Sequence, residues 1–553
     1  MKHPIQYSIC SIAIILFCIV TLAFILPLGQ AISPLFGSMT SVANASYQHT
    51  SGYTPSAIAH IIAYTLKESI LSVVIALIVG IPAAYFVSHK KIWICGILSS
   101  LAAVPLCIPP LIIALGYIAT FGMAGSVNKL IMTVFHLQAP PITFLYSFWG
   151  IVITQGFYNF PIIMKTVADS WECLDTNQAE AAALLGASRW RIFRTITVFQ
   201  LFPSIASASI PVFMYSFFSF MIVLMFGTIG GTTLEVAIYH AGRSILNFHS
   251  VAVLASIETA TALSILVAYS LLEQKTLHRH GISFIQASRS KTKVTKKELI
   301  SAIIFFSVIA VFFLVPLLSI AISSFSTTGA KRLAFTLSRW KKICTAKSFY
   351  AAVKNTFVTA TCSSILSTVT GLVYALFLRV KNNTRKHPVM NSMLCTVPLL
   401  PMAVSSVVMG IGMTLFIKRG NPVHLILMQS ALAAPFAFRQ LYAPLNAIPQ
   451  DTIDAARMLS KRGTDIIFSI LIPYCKTNII SALGFCFAIS AGDATLPLVL
   501  AIHKFDTLSL YTYRLAGSYR FPEACACGLL LGALCMTVFS LSRKKNPSKE
   551  RYQ

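Results

Sequence analysis

The stretch Glu180-Ala181-Ala182-Ala183-Leu184-Leu185-Gly186 recurs in altered form as Asp454-Ala455-Ala456-Arg457-Met458-Leu459-Ser460, 274 residues further along the chain. In both copies an acid and two alanines follow a short polar residue, Asn177 or Asp451, that lies three residues before the acid. An Asn or Asp that accepts hydrogen bonds from free backbone N–H groups, with an acid three residues later, is typical of a helix start. The acid is also favoured at the positive end of a helix. The pattern therefore predicts two short helices of one design.

The composition around these two stretches is that of a membrane protein. Of the 553 residues, 56% are hydrophobic and only 11% are charged, whereas soluble globular proteins carry about 25% charged residues. The apolar residues form continuous segments of about 20 residues, which suit membrane-spanning helices and not the alternating strands of a β-barrel. The sequence thus predicts an all-α polytopic membrane protein. Its twelve apolar segments lie near residues 9–28, 69–88, 93–118, 143–164, 204–226, 249–271, 299–322, 354–378, 390–416, 422–444, 477–500 and 523–542.

The net charge of +27 has two interpretations, nucleic-acid binding or the basic cytoplasmic loops of a membrane protein. Lys and Arg lie mostly between the apolar segments, which favours the second interpretation, and no nucleic-acid partner is expected. If the N-terminus is inside the cell, most of the basic loops fall on the cytoplasmic side. Both termini are therefore predicted to be cytoplasmic. The basic loop at 331–347 disagrees, because it falls on the outer side.

The chain consists of two similar halves. At the offset of 274, Pro161 pairs with Pro435 and Leu185 with Leu459. Upstream, the offset changes to 291. A gapless register over about 80 residues indicates an internal duplication, and six helices per half make the two halves parallel. The predicted domains are a first six-helix repeat at 1–272, a basic cytoplasmic linker at 273–298 and a second six-helix repeat at 299–553.

The two short stretches resemble the EAA loop of binding-protein-dependent ABC importer permeases, in which Glu-Ala-Ala is followed by three residues and a Gly. The first copy matches through its Gly, while the second copy has Asp in place of Glu and Ser in place of Gly. The resemblance implies a type I ABC importer fold, in which each loop forms a coupling helix that seats in a cleft of an ATP-hydrolysing subunit. The residues that it assigns to this coupling are Asn177, Glu180, Ala181, Ala182 and Gly186 in the first loop and Asp451, Asp454, Ala455, Ala456, Ser460 and Gly463 in the second.

For either loop alone, an ordinary amphipathic connector at the membrane surface is an alternative. The recurrence of both loops in one register favours the coupling interpretation. The resemblance extends over nearly the whole chain and implies two ATP-binding cassette subunits on the cytoplasmic side and an extracytoplasmic substrate-binding protein outside. The fused layout is similar to that of the ferric-iron and thiamine importer permeases of the bacterial inner membrane. Segments 232–239 and 508–520 are closer to the thiamine type, which favours thiamine or its phosphates, while ferric iron and polyamines stay open.

The sequence lacks the motifs of an enzyme. It contains no G-x-x-x-x-G-K-[ST] phosphate-binding loop, so ATP is expected to be bound by a partner subunit and no cofactor by this chain. The Cys525-Ala526-Cys527 stretch lacks the spacing of zinc ligands, and no metal site is expected. Two other classes stay open: a stand-alone secondary transporter, which needs ion-coupling acids in the membrane, and an integral-membrane enzyme.

Polar and ionisable residues inside apolar segments are the candidates for a substrate pathway, because they are costly there. Asp493 is the first candidate, since a carboxylate that faces the bundle axis attracts a cation. The alternative is that it only accepts hydrogen bonds from a neighbouring helix. Its partner at the offset of 274 is Ser219, so the charge is predicted to be asymmetric. Glu258 and Tyr215, the latter in an aromatic group able to stack on a ligand, complete the predicted pathway.

Overall fold

The fold is known from a computed structural model. Its described residues form helices of widely different length, joined by short turns. The structure describes residues 2–35, 53–90, 95–96, 108–174, 177–227, 231–280, 295–325, 335–381, 396–417, 420–459 and 463–542.

In the first half, long helices alternate with short ones, and two five-residue π-helical stretches, Phe193–Thr197 and Ala241–Ile245, interrupt the helical course. The α-helices are α1 (Lys2–Ile32), α2 (Pro55–His89), α3 (Pro110–Phe121), α4 (Ser126–Phe135), α5 (Phe148–Glu172), α6 (Asn177–Leu184), α7 (Arg189–Ile192), α8 (Val198–Phe217), α9 (Met221–Phe226), α10 (Leu234–His240) and α11 (Phe248–His280).

The second half has π-helical stretches at Ala310–Leu314 and Ile467–Leu471 and a 3₁₀-helix at Val397–Ala403. Its α-helices are α12 (Lys296–Ile309), α13 (Val315–Phe325), α14 (Ser338–Thr345), α15 (Lys347–Lys381), α16 (Ser406–Phe416), α17 (Pro422–Asn446), α18 (Gln450–Leu459), α19 (Gly463–Ile466), α20 (Ile472–Tyr474), α21 (Lys476–Gly492), α22 (Thr495–Leu500), α23 (Leu508–Gly517) and α24 (Phe521–Ser542).

The described helices include eight that are long and apolar enough to cross a membrane, and two bent pairs raise the number to ten. The bent pairs are 397–416, with an angle of 90°, and 464–492, with an angle of 70°. The fourth and tenth predicted segments coincide with α5 and α17, which are less apolar but have 25 residues each. A helix of that length is roughly 37 Å long and suffices to span the hydrocarbon layer. The all-α polytopic architecture is thus confirmed.

Two predicted regions lie partly outside the described residues. The third apolar segment, 93–118, is described mainly from residue 108 onwards, and its helix α3 begins at Pro110. In the predicted linker at 273–298, α11 extends to His280 and α12 begins at Lys296. The placement of the linker on the cytoplasmic side stays a prediction.

The duplication is visible in the element bounds themselves. α5 and α17 begin and end at positions that differ by 274, and so do α9 and α22. The π-helical stretches Phe193–Thr197 and Ile467–Leu471 follow the same offset. Because a π-helix is rare in proteins, its recurrence at one register position indicates that both halves share a single ancestral fold.

One hydrogen bond recurs in each half and fixes the start of a short helix against a long one. The backbone N–H of Leu234 donates to the Thr65 hydroxyl at 2.9 Å, and the N–H of Leu508 donates to the Thr356 hydroxyl at 2.6 Å. The donors are 274 residues apart and the acceptors 291. Both offsets predicted from the sequence therefore describe the same three-dimensional repeat.

The first helix of each half packs against the other half. α1 lies against α15, α16 and α17, and Gly412 of α16 has no room for a side chain beside the carbonyl oxygen of Pro27. α13 lies against α3, where a Cβ at Gly116 would be 2.7 Å from the carbonyl oxygen of Pro316. This exchange interlocks the halves around a common core.

Gly80 and Gly371 lie where two helices pack closely within each half. A Cβ on Gly80 would lie 2.9 Å from the Ile163 side chain, whereas a Cβ on Gly371 would lie 2.6 Å from the backbone nitrogen of Phe438. We expect Gly371→Ala to lower the free energy of unfolding by about 1–3 kcal/mol, because backbone cannot give way. Gly80→Ala should cost less, since Ile163 can rotate. Thermal unfolding in detergent measures both.

Gly29 supplies the control for this pair, because it lies within α1 and no atom approaches its Cβ position within 4 Å. Gly29→Ala should leave stability unchanged or raise it, as alanine is the better helix former. A Gly371→Ala protein as stable as the wild type contradicts the packing argument.

Candidate functional site

The two EAA-like loops form short exposed helices, α6 and α18. A turn joins α6 to the second helical segment α7, and in the other loop the next described segment is α19. At the end of each helix lie two apolar side chains that touch almost nothing. Leu184 and Leu185 are 90% and 89% exposed, and Met458 and Leu459, at the same positions of the repeat, are 89% and 91% exposed. Exposed apolar side chains of this kind are typical of a surface that contacts another protein or a membrane.

The two predicted N-caps have different outcomes. Asp451 is the second residue of α18, directly after Gln450, so it is not the N-cap of that helix. α18 starts there because Pro449 precedes it, and proline suits a helix start better than a helix interior. Asn177 is the first described residue of α6, and the two residues before it lie outside the described ones, so its capping role stays a prediction.

The acid of the second loop is bonded within its own helix. Asp454 accepts hydrogen bonds from the Gln450 amide at 3.1 Å and from Arg457 at 3.2 Å, in an exposed position. Ala456 is buried while Ala455 is exposed. The helix therefore lies with one alanine inward, and its opposite face is open.

In the first loop Glu180 and Ala181 are exposed and Ala182 is half-buried. Gly186 ends this loop helix with a φ of +83°, and its N–H donates to the Ala183 carbonyl while the next N–H donates to the Ala182 carbonyl, both at 3.0 Å. This is a Schellman arrangement, which favours glycine. In the second loop Ser460 lies outside the described residues, and Gly463 begins α19.

A cavity of about 320 Å³ lies between the two halves. Its wall combines aromatic and aliphatic side chains with a few polar ones, the composition of a small-molecule site. Several lining positions are repeat partners, among them Gln155 with Gln429 and Ser219 with Asp493. The cavity therefore lies at the pseudo-two-fold axis. Its polar lining residues include Gln155, Asn159, Ser219, Ser405, Gln429, Ser490, Asp493 and Thr495.

Asp493 lies in this wall, in the break between α21 and α22. One carboxylate oxygen accepts hydrogen bonds from the backbone N–H groups of Thr495 at 2.9 Å and Leu496 at 3.3 Å. The other accepts from the Gln429 amide at 3.3 Å. Both sequence interpretations of Asp493 thus have a structural counterpart, since it caps a helix and also faces the cavity.

Of the other three predicted pathway residues, two line the cavity and one lies behind its wall. Tyr215 and Ser219 line the cavity with Asp493. Glu258 does not line it: it is fully buried beside Glu235, and the Ser405 hydroxyl of the wall lies against both carboxyl groups. Glu258 is thus not part of the cavity wall, and its place in the pathway stays a prediction.

Sequence reasoning missed Gln155, Asn159 and Gln429, although a signal was present. Each is an amide inside an apolar segment, and the two glutamines occupy the same position of the repeat.

Comparison with known proteins shows the family to which the chain belongs. The model of the family described as "Binding-protein-dependent transport system inner membrane component" matches residues 76–278 and again residues 367–544. The two matches cover more than half of the chain. The chain belongs to this family. It is a multi-pass inner-membrane permease with two fused repeats, and the predicted resemblance is confirmed.

Individual relatives resemble the chain over nearly its full length. It is 24% identical to the thiamine transport system permease protein ThiP of Salmonella typhimurium, over 88% of each chain. It is 23% identical to ThiP of Haemophilus influenzae, over 94% of each chain. The molybdenum transport system permease protein ModB of Azotobacter vinelandii is 28% identical, over 30% of this chain and 70% of ModB.

Proposed function

We propose that this chain is the transmembrane permease subunit of an ATP-driven ABC importer for a small cationic substrate, with thiamine or its phosphates favoured. The observation that carries the proposal is the pair of exposed helices at one register position of a duplicated membrane fold. The substrate class rests on the likeness to ThiP over 88–94% of the chain and on a carboxylate in the wall of the central cavity.

The exposed loop ends support docking to two ATPase subunits. The four apolar side chains at these ends are each about nine-tenths exposed, an arrangement that a cleft in a partner protein stabilises by burying them. One loop per half requires one ATPase subunit per loop. ATP is bound and hydrolysed in those subunits, and this chain holds no cofactor of its own.

This docking sets the orientation of the chain. The loops, both termini and the linker face the cytoplasm, and the opposite face receives a substrate-loaded binding protein. Nucleotide-driven closure of the ATPase pair then moves both coupling helices together, and the cavity opens alternately to the two sides. The nucleotide-bound ATPase must interact differently with the two cavity states, because otherwise binding shifts nothing.

The test is reconstitution of the chain in liposomes with the ATPase and binding protein encoded beside it. We expect uptake of radiolabelled thiamine that requires ATP inside and the binding protein outside. Ferric iron and spermidine are measured in the same vesicles, and uptake of either instead of thiamine rejects the substrate. Uptake driven by a proton gradient without any ATPase overturns the importer mechanism and favours a secondary transporter.

A further inference from the structure

One pair of equivalent positions differs between the two halves in its residues and in its hydrogen bonds. In the second half, the Gln429 amide nitrogen donates to Asp493 at 3.3 Å and to the Ser490 carbonyl oxygen at 3.1 Å. Its amide oxygen accepts from the Ser363 hydroxyl at 3.3 Å. Both ends of this glutamine are therefore engaged by protein, and its orientation is fixed.

In the first half, the same two positions hold Gln155 and Ser219. A serine is too short to take the place of the aspartate, and both amide atoms of Gln155 are without a hydrogen-bond partner among the described residues. The same holds for the Ser219 hydroxyl and for the side-chain oxygen of Asn159. All three residues are at least nine-tenths buried and line the cavity.

Unpaired buried polar groups are costly, and proteins keep them where a ligand supplies the missing partner. Gln155 and Asn159 are four residues apart on α5 and so share one face of that helix. Together with Ser219 they offer amide donors, amide acceptors and a hydroxyl within one wall of the cavity. Asp493 occupies the position across the pseudo-two-fold axis that corresponds to Ser219.

We propose that Gln155, Asn159 and Ser219 form a subsite that hydrogen-bonds the uncharged ring edge of a heteroaromatic cation, while Asp493 faces its positive charge. An amide presents a donor beside an acceptor, which matches the amino group and ring nitrogen of an aminopyrimidine. This inference rests on the proposed function, because it takes the cavity as the path of the cargo. It adds the residues that recognise the uncharged ring of the substrate.

The experiment compares uptake of thiamine and oxythiamine by the reconstituted complex. Oxythiamine keeps the thiazolium charge but carries an oxygen in place of the pyrimidine amino group. The wild-type complex should favour thiamine by about tenfold or more, because a site built to hydrogen-bond a group rejects an analogue that lacks it. Gln155→Leu should remove most of this preference.

Ser219→Asp is an independent second variant. It recreates in the first half the glutamine–aspartate pair of the second half. The Gln155 amide is then hydrogen-bonded to the new aspartate, and the preference for thiamine over oxythiamine should again fall. Gln440→Leu is the matched control, since the side-chain oxygen of Gln440 is also buried without a partner among the described residues but lies away from the cavity wall. It should keep the wild-type preference.

Two outcomes separate this inference from the proposed function. If the wild type imports thiamine and both first-half variants keep its preference over oxythiamine, the subsite is rejected, its polar groups hold only water, and the importer assignment stands. If the wild type imports neither compound, the proposed substrate class fails and the subsite fails with it.

Discussion

Leu185→Glu and Leu459→Glu are each expected to reduce ATP-driven uptake by at least about thirtyfold, since loss of a central interface contact costs roughly 2 kcal/mol or more. The apolar ends of the two loops have no packing role within the chain, where these leucines are 89% and 91% exposed. A charge at either end has to be desolvated in the partner cleft without a counter-charge. Uptake and co-purification of the ATPase are the measurements.

Because both leucines are exposed, a loss of uptake would not reflect a loss of folding. Substitutions at exposed positions away from packing contacts change stability by less than about 0.5 kcal/mol. Leu185→Met and Leu459→Met serve as matched controls and should keep near wild-type uptake, since they preserve the apolar end. Glutamate variants that retain both ATPase binding and normal uptake show that the loops do not couple the chain to its motor.

Asp493→Asn is expected to lower uptake of a cationic substrate by about tenfold or more while leaving the fold intact. Asparagine keeps a side-chain oxygen for the backbone N–H groups of Thr495 and Leu496 and is an equally good cap. The negative charge is removed, and an amide nitrogen replaces the oxygen that accepts from Gln429, so this hydrogen bond is lost as well. Asp493→Ala, in contrast, also removes the cap and should cost a further ~1 kcal/mol of stability. Uptake at saturating substrate and thermal unfolding distinguish the two effects.

Glu68→Gln is the control, because it also neutralises a buried carboxyl group but does so away from the cavity. Glu68 accepts hydrogen bonds from Ser69 and Ser72 of its own helix. It should leave the Michaelis constant for thiamine unchanged. Wild-type uptake by the Asp493→Asn complex limits Asp493 to accepting hydrogen bonds from neighbouring helices, which is the alternative that the sequence left open.

Much of the fold was predictable because it depends on local composition and spacing. Apolar segments of bilayer length predicted the spanning helices, including α5 and α17, whose polar residues made them the least apolar of the twelve. The fixed offset of 274 predicted the duplication, and it holds for the bounds of α9 and α22 as well as for the π-helical stretches.

The candidate site was predicted only in part, for a physical reason. Asp493 and Ser219 were identified as repeat partners, but no local pattern indicates that Gln429 engages the aspartate across a helix pair while Gln155 stays unpaired. A hydrogen bond between residues 64 positions apart depends on how α17 packs against α21. Likewise, the burial of Glu258 beside Glu235 follows from the packing of α11 on α10 and not from either segment alone.

The amino-acid order by itself determined that the chain crosses a membrane, that it is built twice from one helical unit, and that two polar helices of one design interrupt the apolar segments. These properties follow from hydrophobicity and periodicity, which act over a few turns of chain. Only the tertiary structure decided that the first helix of each half packs on the other half, which side chains meet at the axis, and which buried polar groups lack a partner among the described residues. Those properties depend on contacts between segments far apart in sequence, whose geometry is set by the packing of the whole bundle.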